Sequence, residues 1–476
     1  MIRKSILSLS IISSLVLTPA FAKTTNRCID RIEKQGSTNG GLQLAFCDLQ
    51  DRDMPQILDF INNHPEIEMI DLNENNLGDQ SAKLLANTTH VDTLYIQNNY
   101  IGAEGAAALA KNPTFKFIVL DNNNIGSKGA AALAKNTTLE YLNITNNQIG
   151  VTGAIVLAKN KTLRGLTLDN NKISDKGAIA LANNTSIENL SLNNNQIADL
   201  GAMAFANNKV ITILSLMNNQ ISDAGAIVLA GNTSITTLYL RGNQIADQGA
   251  KGLATNTTLE YLDLDNNNIS DNGAIAFANN STLPRLSLNE NKINSSGIIA
   301  LANNKTLRGL GIGGNKIDLA AMQALAKNTT LRGLSLSYST IGKQELLELT
   351  NNTSLNLVSI RNSNIDDEGA VILSKMNIST LYIDNNNIGN KGAMALATSK
   401  NLTDLSIAYN HIGPSGLAAL KQHVPILYAE GNDGQGLVHS TKQKTWLSKL
   451  NVGQKYCGKS NYPLICNKFL TKIAAR

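Results

Sequence analysis

One asparagine constrains this chain more than any other feature. It recurs at Asn75, Asn99, Asn123, Asn147, Asn171, Asn195, Asn219, Asn243, Asn267, Asn291 and Asn315, every interval being 24 residues. Ser339 and Ser363 keep the register, and Asn386, Asn410 and Asn432 follow at intervals of 23, 24 and 22. A period held from residue 75 to residue 410 leaves room for one kind of architecture, a stack of like units. Fifteen good copies lie between those positions, and Leu42-x-Leu44-x-x-Cys47-x-Leu49 reads as a divergent opening copy with cysteine in the asparagine slot.

The stretch 259–282, LEYLDLDNNNISDNGAIAFANNST, shows what one unit contains. Leu262 and Leu264 alternate with polar residues, as in a short strand with one buried face. Ala274, Phe277 and Ala278 follow at helical spacing, with Asp271 as the expected N-cap. So few apolar side chains cannot offset the entropy of ordering 24 residues, so each unit must share its core with its neighbours. Leu262, Leu264 and Ile269 are its expected core, and Asn267 is expected to turn inward and satisfy backbone groups beside the strand. Gly273 and Ala274 are small enough for the helix to approach the coil closely. Parallel strands spaced ~4.8 Å apart make fifteen copies a surface on the order of 70 Å long.

The phrase L-x-x-L-x-L-x-x-N/C-x-L is similar to that of leucine-rich-repeat proteins. Within that family, the 24-residue period and the phrase G-A-x-A-L-A (Gly105–Ala110, Gly129–Ala134) resemble GALA-type repeats of secreted bacterial proteins. Ribonuclease-inhibitor-type repeats share the phrase but have a longer period. The resemblance implies an α/β solenoid, a right-handed horseshoe with parallel strands on the concave face and short helices on the convex face. The repeats assign residues 67–432 to the solenoid, 23–66 to an N-terminal cap and 433–476 to a basic C-terminal cap or tail. Within the N-terminal cap, Met54–Asn63 reads as an amphipathic helix with Ile57, Leu58 and Ile61 on its inner stripe.

Residues 1–22 have the form of a secretory signal peptide: Arg3 and Lys4, the apolar stretch Ile6–Leu17, and Ala20-Phe21-Ala22 as cleavage site. Cleavage after Ala22 would place the mature protein in the periplasm or outside the cell, and no later segment approaches the length of a membrane span. The four cysteines fall as Cys28 with Cys47 near one end and Cys457 with Cys466 near the other. After a signal peptide this suggests two local disulfides, since the other two connectivities would tie together the far ends of a long solenoid. Residues 433–476 carry +7, and residues 1–22 carry +2, so of the total +5 the remainder, 23–432, holds −4. The basic balance belongs to the tail, which is expected to protect the last coil.

No catalytic set emerges. His64, His90, His411, His423 and His439 have no recurring Ser, Cys or Asp partner, no C-x-x-C occurs, and phosphate-binding glycine loops are absent. Triplets such as Asn136-Thr137-Thr138 and Asn232-Thr233-Ser234 match glycosylation sequons, but they recur at one repeat position, which a helix-to-strand turn explains. The remaining candidate is the face between the core leucines. Tyr95, Phe117, Val119 and Tyr141 fall on three successive strands, and Ile213, Met217, Tyr239, Arg241, Tyr261 and Asp265 fall on three more. Exposed aromatic residues and arginine are the types that anchor interfaces, while the same residues also stabilise a sheet by packing along it. A third stretch, Gly309, Gly311, Gly313, Gly314 and Gly333, is bare of side chains.

The expectation is therefore a monomeric exported protein, without cofactor, metal or enzymatic activity, that binds a protein rather than nucleic acid through its concave face. Its GALA-type resemblance implies a bacterial effector acting in host interaction. The rival expectation is a periplasmic or cell-surface binding protein for a ligand of the producing cell.

Overall fold

The computed structural model describes Cys28 and residues 41–432. The expected signal peptide, the tail 433–476 and the pair Cys457 and Cys466 lie outside the described residues. A 17-stranded parallel sheet runs from Gly41–Gln43 to Ile426–Tyr428, each strand pairing with the next in the sequence. The register is set by the period: Leu262 lies beside Leu238 on one side and Leu286 on the other. Each strand is three residues long and nearly every one is followed by a short helix, such as Asp271–Ala278 after Tyr261–Asp263. The expected α/β solenoid of parallel strands and short helices is the fold observed. Strands sit ~4.8 Å apart, whereas packed helices need roughly 8–10 Å. The stack therefore bends with its sheet on the inner, concave side.

The core runs unbroken between the two layers. Leu262, Leu264, Ile269 and Ala274 are fully buried, with Phe277 filling the space beneath the helix. In the opening coil Leu42, Leu44, Cys47 and Leu49 occupy the same places, and Cys47 is disulfide-bonded to Cys28. The helix Met54–Asn62 buries Met54, Ile57 and Ile61; Leu58 is only half-buried, and Met54 holds the inner place expected for it.

The recurrent asparagine is a two-way clamp. Asn195 is fully buried. Its Oδ1 accepts from the Asn171 and Ile173 backbone N–H groups of the preceding coil, at 2.9 and 3.1 Å. Its Nδ2 donates to the Leu168 and Asn193 carbonyls at 2.9 and 3.0 Å. These are backbone groups that the three-residue strands cannot reach. The residue before it takes a left-handed conformation, with φ of 56° at Asn194 and 49° at Asn266. Asparagine tolerates that region better than most residues, which explains the recurrent Asn-Asn pairs: the first makes the turn and the second clamps it. Gly242 and Gly314 fill the turn position in two coils with φ of 69° and 68°.

The helices begin on a bond between coils, and here the expected N-cap is corrected. Asp271 is the first helical residue and Ser270 precedes it as the cap. Asp271 Oδ1 instead accepts from Asn294 N and Gly297 N of the next coil, at 2.6 and 3.2 Å. Asp247 does the same for Ser270 N and Gly273 N, as do Asp175, Asp199 and Asp223 for their successors. The glycine of the Gly-Ala phrase is needed at this contact. A Cβ on Gly273 would lie 2.8 Å from Asp247 Oδ1 and 2.7 Å from Ile269 Cγ2.

The sequon asparagines close the opposite turn. Asn136 is buried, donates to the Ala110 and Asn112 carbonyls and accepts from Thr138 N and Leu139 N. Its amide is committed to the fold, and the turn reading accounts for the triplet.

Candidate binding face

Alternation along each strand puts every second side chain on the open side of the sheet. Three columns result, and the period aligns them from coil to coil. The first two hold the aromatic residues. Tyr95, Phe117 and Tyr141 are half-buried and lie ring against ring, with centroids 5.6 and 6.0 Å apart. The row continues across Gly165, where an added Cβ would collide with the Tyr141 ring. Val119, between them, is almost wholly covered.

The second group is built around Tyr239 and Tyr261, whose rings meet edge to face at 5.4 Å. Arg285 lies over Tyr261 at 5.5 Å, and Arg241, exposed, is 3.6 Å from Glu290. Burial raises the Tyr239 and Tyr261 hydroxyls above the ordinary tyrosine range, with the Asp263 carboxylate adding to it. Ile213 and Met217 are half-buried beside this group. Asp265 is 8 % exposed and sits below the open surface. Its carboxylate accepts from Ser287 Oγ at 2.6 Å, from Asn289 N at 2.8 Å and from the Asn289 amide. Its neighbour Asp263 is also buried, and burial together with the Asp265 charge pushes its carboxyl up to about 7.

Asp265 belongs to a third column, two residues before each clamp asparagine, from which the sequence reading took only Met217, Arg241 and Asp265. Asp169 accepts from Ser191 Oγ and Asn193 N, and Asn193 in turn from Ser215 Oγ and Met217 N. Near the far end Arg361 Nε donates to Asp384 at 2.7 Å while its guanidinium lies 4.7 Å from the Tyr382 ring. Reading the 24-residue register at this position would have found the run of Asp, Asn and Ser. It would not have shown that they are buried.

The glycine stretch has two explanations. A Cβ on Gly313 would collide with the Ser337 backbone of the next coil, so close approach requires glycine there, whereas at Gly333 an added Cβ meets open space. Arg164 pairs with Glu188 at 2.7 Å, and Arg308 and Arg332 donate to turn carbonyls, which places all three at the edge. Two open depressions lie at the helix-to-strand turns, around Thr138, Arg164 and Glu188 and around Gln323 and Glu348, away from the sheet face. Among the described residues no group of three His, Cys, Asp or Glu is placed to hold a metal ion, and no helix is long and apolar enough to cross a membrane.

Two family profiles match, both described as leucine-rich repeat: one over residues 185–245 and 257–317, the other over 88–110, 111–134, 135–158, 159–182, 374–397 and 398–421. The chain belongs to the leucine-rich-repeat proteins. A search of curated proteins gives no match. Among solved structures, this leucine-rich-repeat chain is similar to an internalin from Listeria monocytogenes, with 23% identity, 79% of this chain and 83% of that one covered, and a TM-score of 0.35. It is also similar to the ectodomain of the Arabidopsis thaliana receptor kinase GASSHO1/SCHENGEN3, solved in complex with CASPARIAN STRIP INTEGRITY FACTOR 2. There the identity is 21%, the coverage 84% of this chain and 47% of that one, and the TM-score 0.44. For the mouse RP105/MD-1 complex the figures are 15%, 87%, 78% and 0.45. Leucine-rich repeats are scaffolds for protein interaction that hold the fold constant and vary the surface.

Proposed function

We propose that this leucine-rich-repeat protein is exported and binds another protein through its sheet face, acting as a bacterial effector in host interaction. The observation that carries the reading is the pair of aromatic rows, Tyr95–Phe117–Tyr141 and Tyr239–Tyr261, set on one continuous face. Large half-buried rings with little conformational freedom to lose make effective anchors. The Cys28–Cys47 disulfide supports an oxidising compartment, consistent with a signal peptide over residues 1–22. On this reading the protein acts as a monomer. Ile213, Met217 and Arg241 complete the central anchor, and Asp265 supports it from beneath.

The test is an affinity capture from host-cell lysate with residues 23–476, run beside the Tyr239→Ala/Tyr261→Ala double variant. A host protein held by the wild type and lost by the variant supports the reading. Equal retention by both moves the site off this row, and capture of envelope proteins of the producing cell alone favours a periplasmic or cell-surface role. Mature protein absent from the culture supernatant would count against the effector role.

A further inference from the structure

We propose that the N-terminal third of the sheet face receives a lysine or arginine side chain of the protein partner at Asp121. This rests on the face-binding reading and names the chemistry it recognises. Across the first eight coils, from Gly41 to Met217, the three face columns hold Asp71, Asp121 and Asp169 and no Lys, Arg or His. Arginines enter only later, at Arg241, Arg285 and Arg361, and each is engaged with an acid or a ring.

Asp121 differs from its counterparts in the same column. Asp169 and Asp265 bond the backbone of the next coil. At Asp121 that duty has moved elsewhere, because Thr145 N donates to Asn143 Oδ1 instead. Asp121 is 7 % exposed and its Oδ1 has no hydrogen-bond partner. Its column neighbours are also incomplete: Gln97 Oε1 is an acceptor without a donor, Thr145 Oγ1 is unbonded, and beyond them Asn73 Nδ2 lacks an acceptor. Buried polar atoms without partners are rare and costly, and four in consecutive coils mark a row that something else completes. In the same coil as Asp121, Phe117 lies between Tyr95 and Tyr141. An aliphatic stem laid across these rings would bring a cationic head to the carboxylate, combining a charge-assisted hydrogen bond with cation–π contact. Gln97 gives up no acceptor bond when it moves aside for that head. Burial holds the Asp121 carboxyl up to about 7, against hydrogen bonds from its own backbone and from the Asn143 side chain that favour the charged form.

The probe is a displayed library of random twelve-residue peptides selected on residues 23–476. The expected result is enrichment of peptides with one fixed Lys or Arg. Affinity should fall about tenfold or more when that residue becomes neutral norleucine, and similarly with Asp121→Asn protein. The norleucine comparison needs no altered protein, so it stands even if the variant is poorly folded. Enriched peptides that lack a basic residue, or that bind equally after both changes, overturn the proposal; if Tyr95→Ala/Tyr141→Ala still abolishes their binding, the face reading survives. Peptides insensitive to that double variant and to Tyr239→Ala/Tyr261→Ala overturn both.

Discussion

Replacing Asn195 by alanine removes four hydrogen bonds from a site with no access to bulk water. Asn171 N and Ile173 N lose the acceptor that holds them at 2.9 and 3.1 Å, and the Leu168 carbonyl loses its donor at 2.9 Å. The Asn193 carbonyl is spared, because Asn170 N also donates to it at 2.9 Å. Three buried backbone groups are thus left unsatisfied at roughly 1–3 kcal/mol each, an expected loss of ~3–9 kcal/mol that a water entering the vacated space lowers toward its bottom end. Solenoid stability is a sum of coil and nearest-neighbour terms, so the damage should be local. Native-state amide exchange reads it: Asn171 and Ile173 should exchange ~100-fold faster or more, while amides near Asn75 and Asn386 keep their rates. Asn195→Ser, which copies the residue at 339 and 363, should lose less. A loss under about 1 kcal/mol in urea unfolding, with no local rise in exchange, would refute the view that this amide clamps neighbouring coils.

The inter-coil cap gives a smaller version of the same test. Asp175→Ala strips Ala198 N and Gly201 N of their acceptor and should cost ~1–2 kcal/mol by thermal unfolding, with Asp175→Asn keeping most of it. Gly249→Ala sets a gain of up to about 1 kcal/mol in helix propensity against a Cβ 2.6 Å from Asp223 Oδ1 and 2.7 Å from Ile245 Cγ2. The clash should win by ~1–2 kcal/mol, checked by a lowered unfolding midpoint. Asp121 predicts a pH trend. Its carboxyl is raised to about 7 in the folded chain from an ordinary 3.8, chiefly by burial. The native state therefore holds this proton where the unfolded chain has released it, so its contribution to stability falls as pH rises from about 4 to 7 and is flat above. Asp121→Asn should flatten that slope and raise stability at pH 7.5, with ~4 kcal/mol as the ceiling; urea unfolding at several pH values checks both.

The repeat architecture was legible because one face of each unit has to be buried and the period says which. Leu262, Leu264, Ile269, Ala274 and Phe277 could be placed inside from spacing alone, and the two columns that carry Tyr239 and Tyr261 could be placed on the open face. Local rules failed where the bonding partner lies one coil away. Asp271 has the chemistry of an N-cap and stands one residue past the cap position, and the donors it serves are at residues 294 and 297. No helix-capping pattern within one unit can show that.

What the sequence determined by itself is the identity of the unit, its period and the requirement that copies stack, since no single copy holds enough apolar surface to order itself. The tertiary structure alone decided how deep each face residue lies. Asp265 and Asp121 occupy the same column with the same side chain, yet one is tied into the next coil and the other keeps an oxygen without a donor. That difference arises because Thr145 N finds its acceptor within its own coil, at Asn143, while Asn289 N finds its acceptor on the coil before. Hydrogen bonds compete for the same donors across a spacing that only the stacked chain creates.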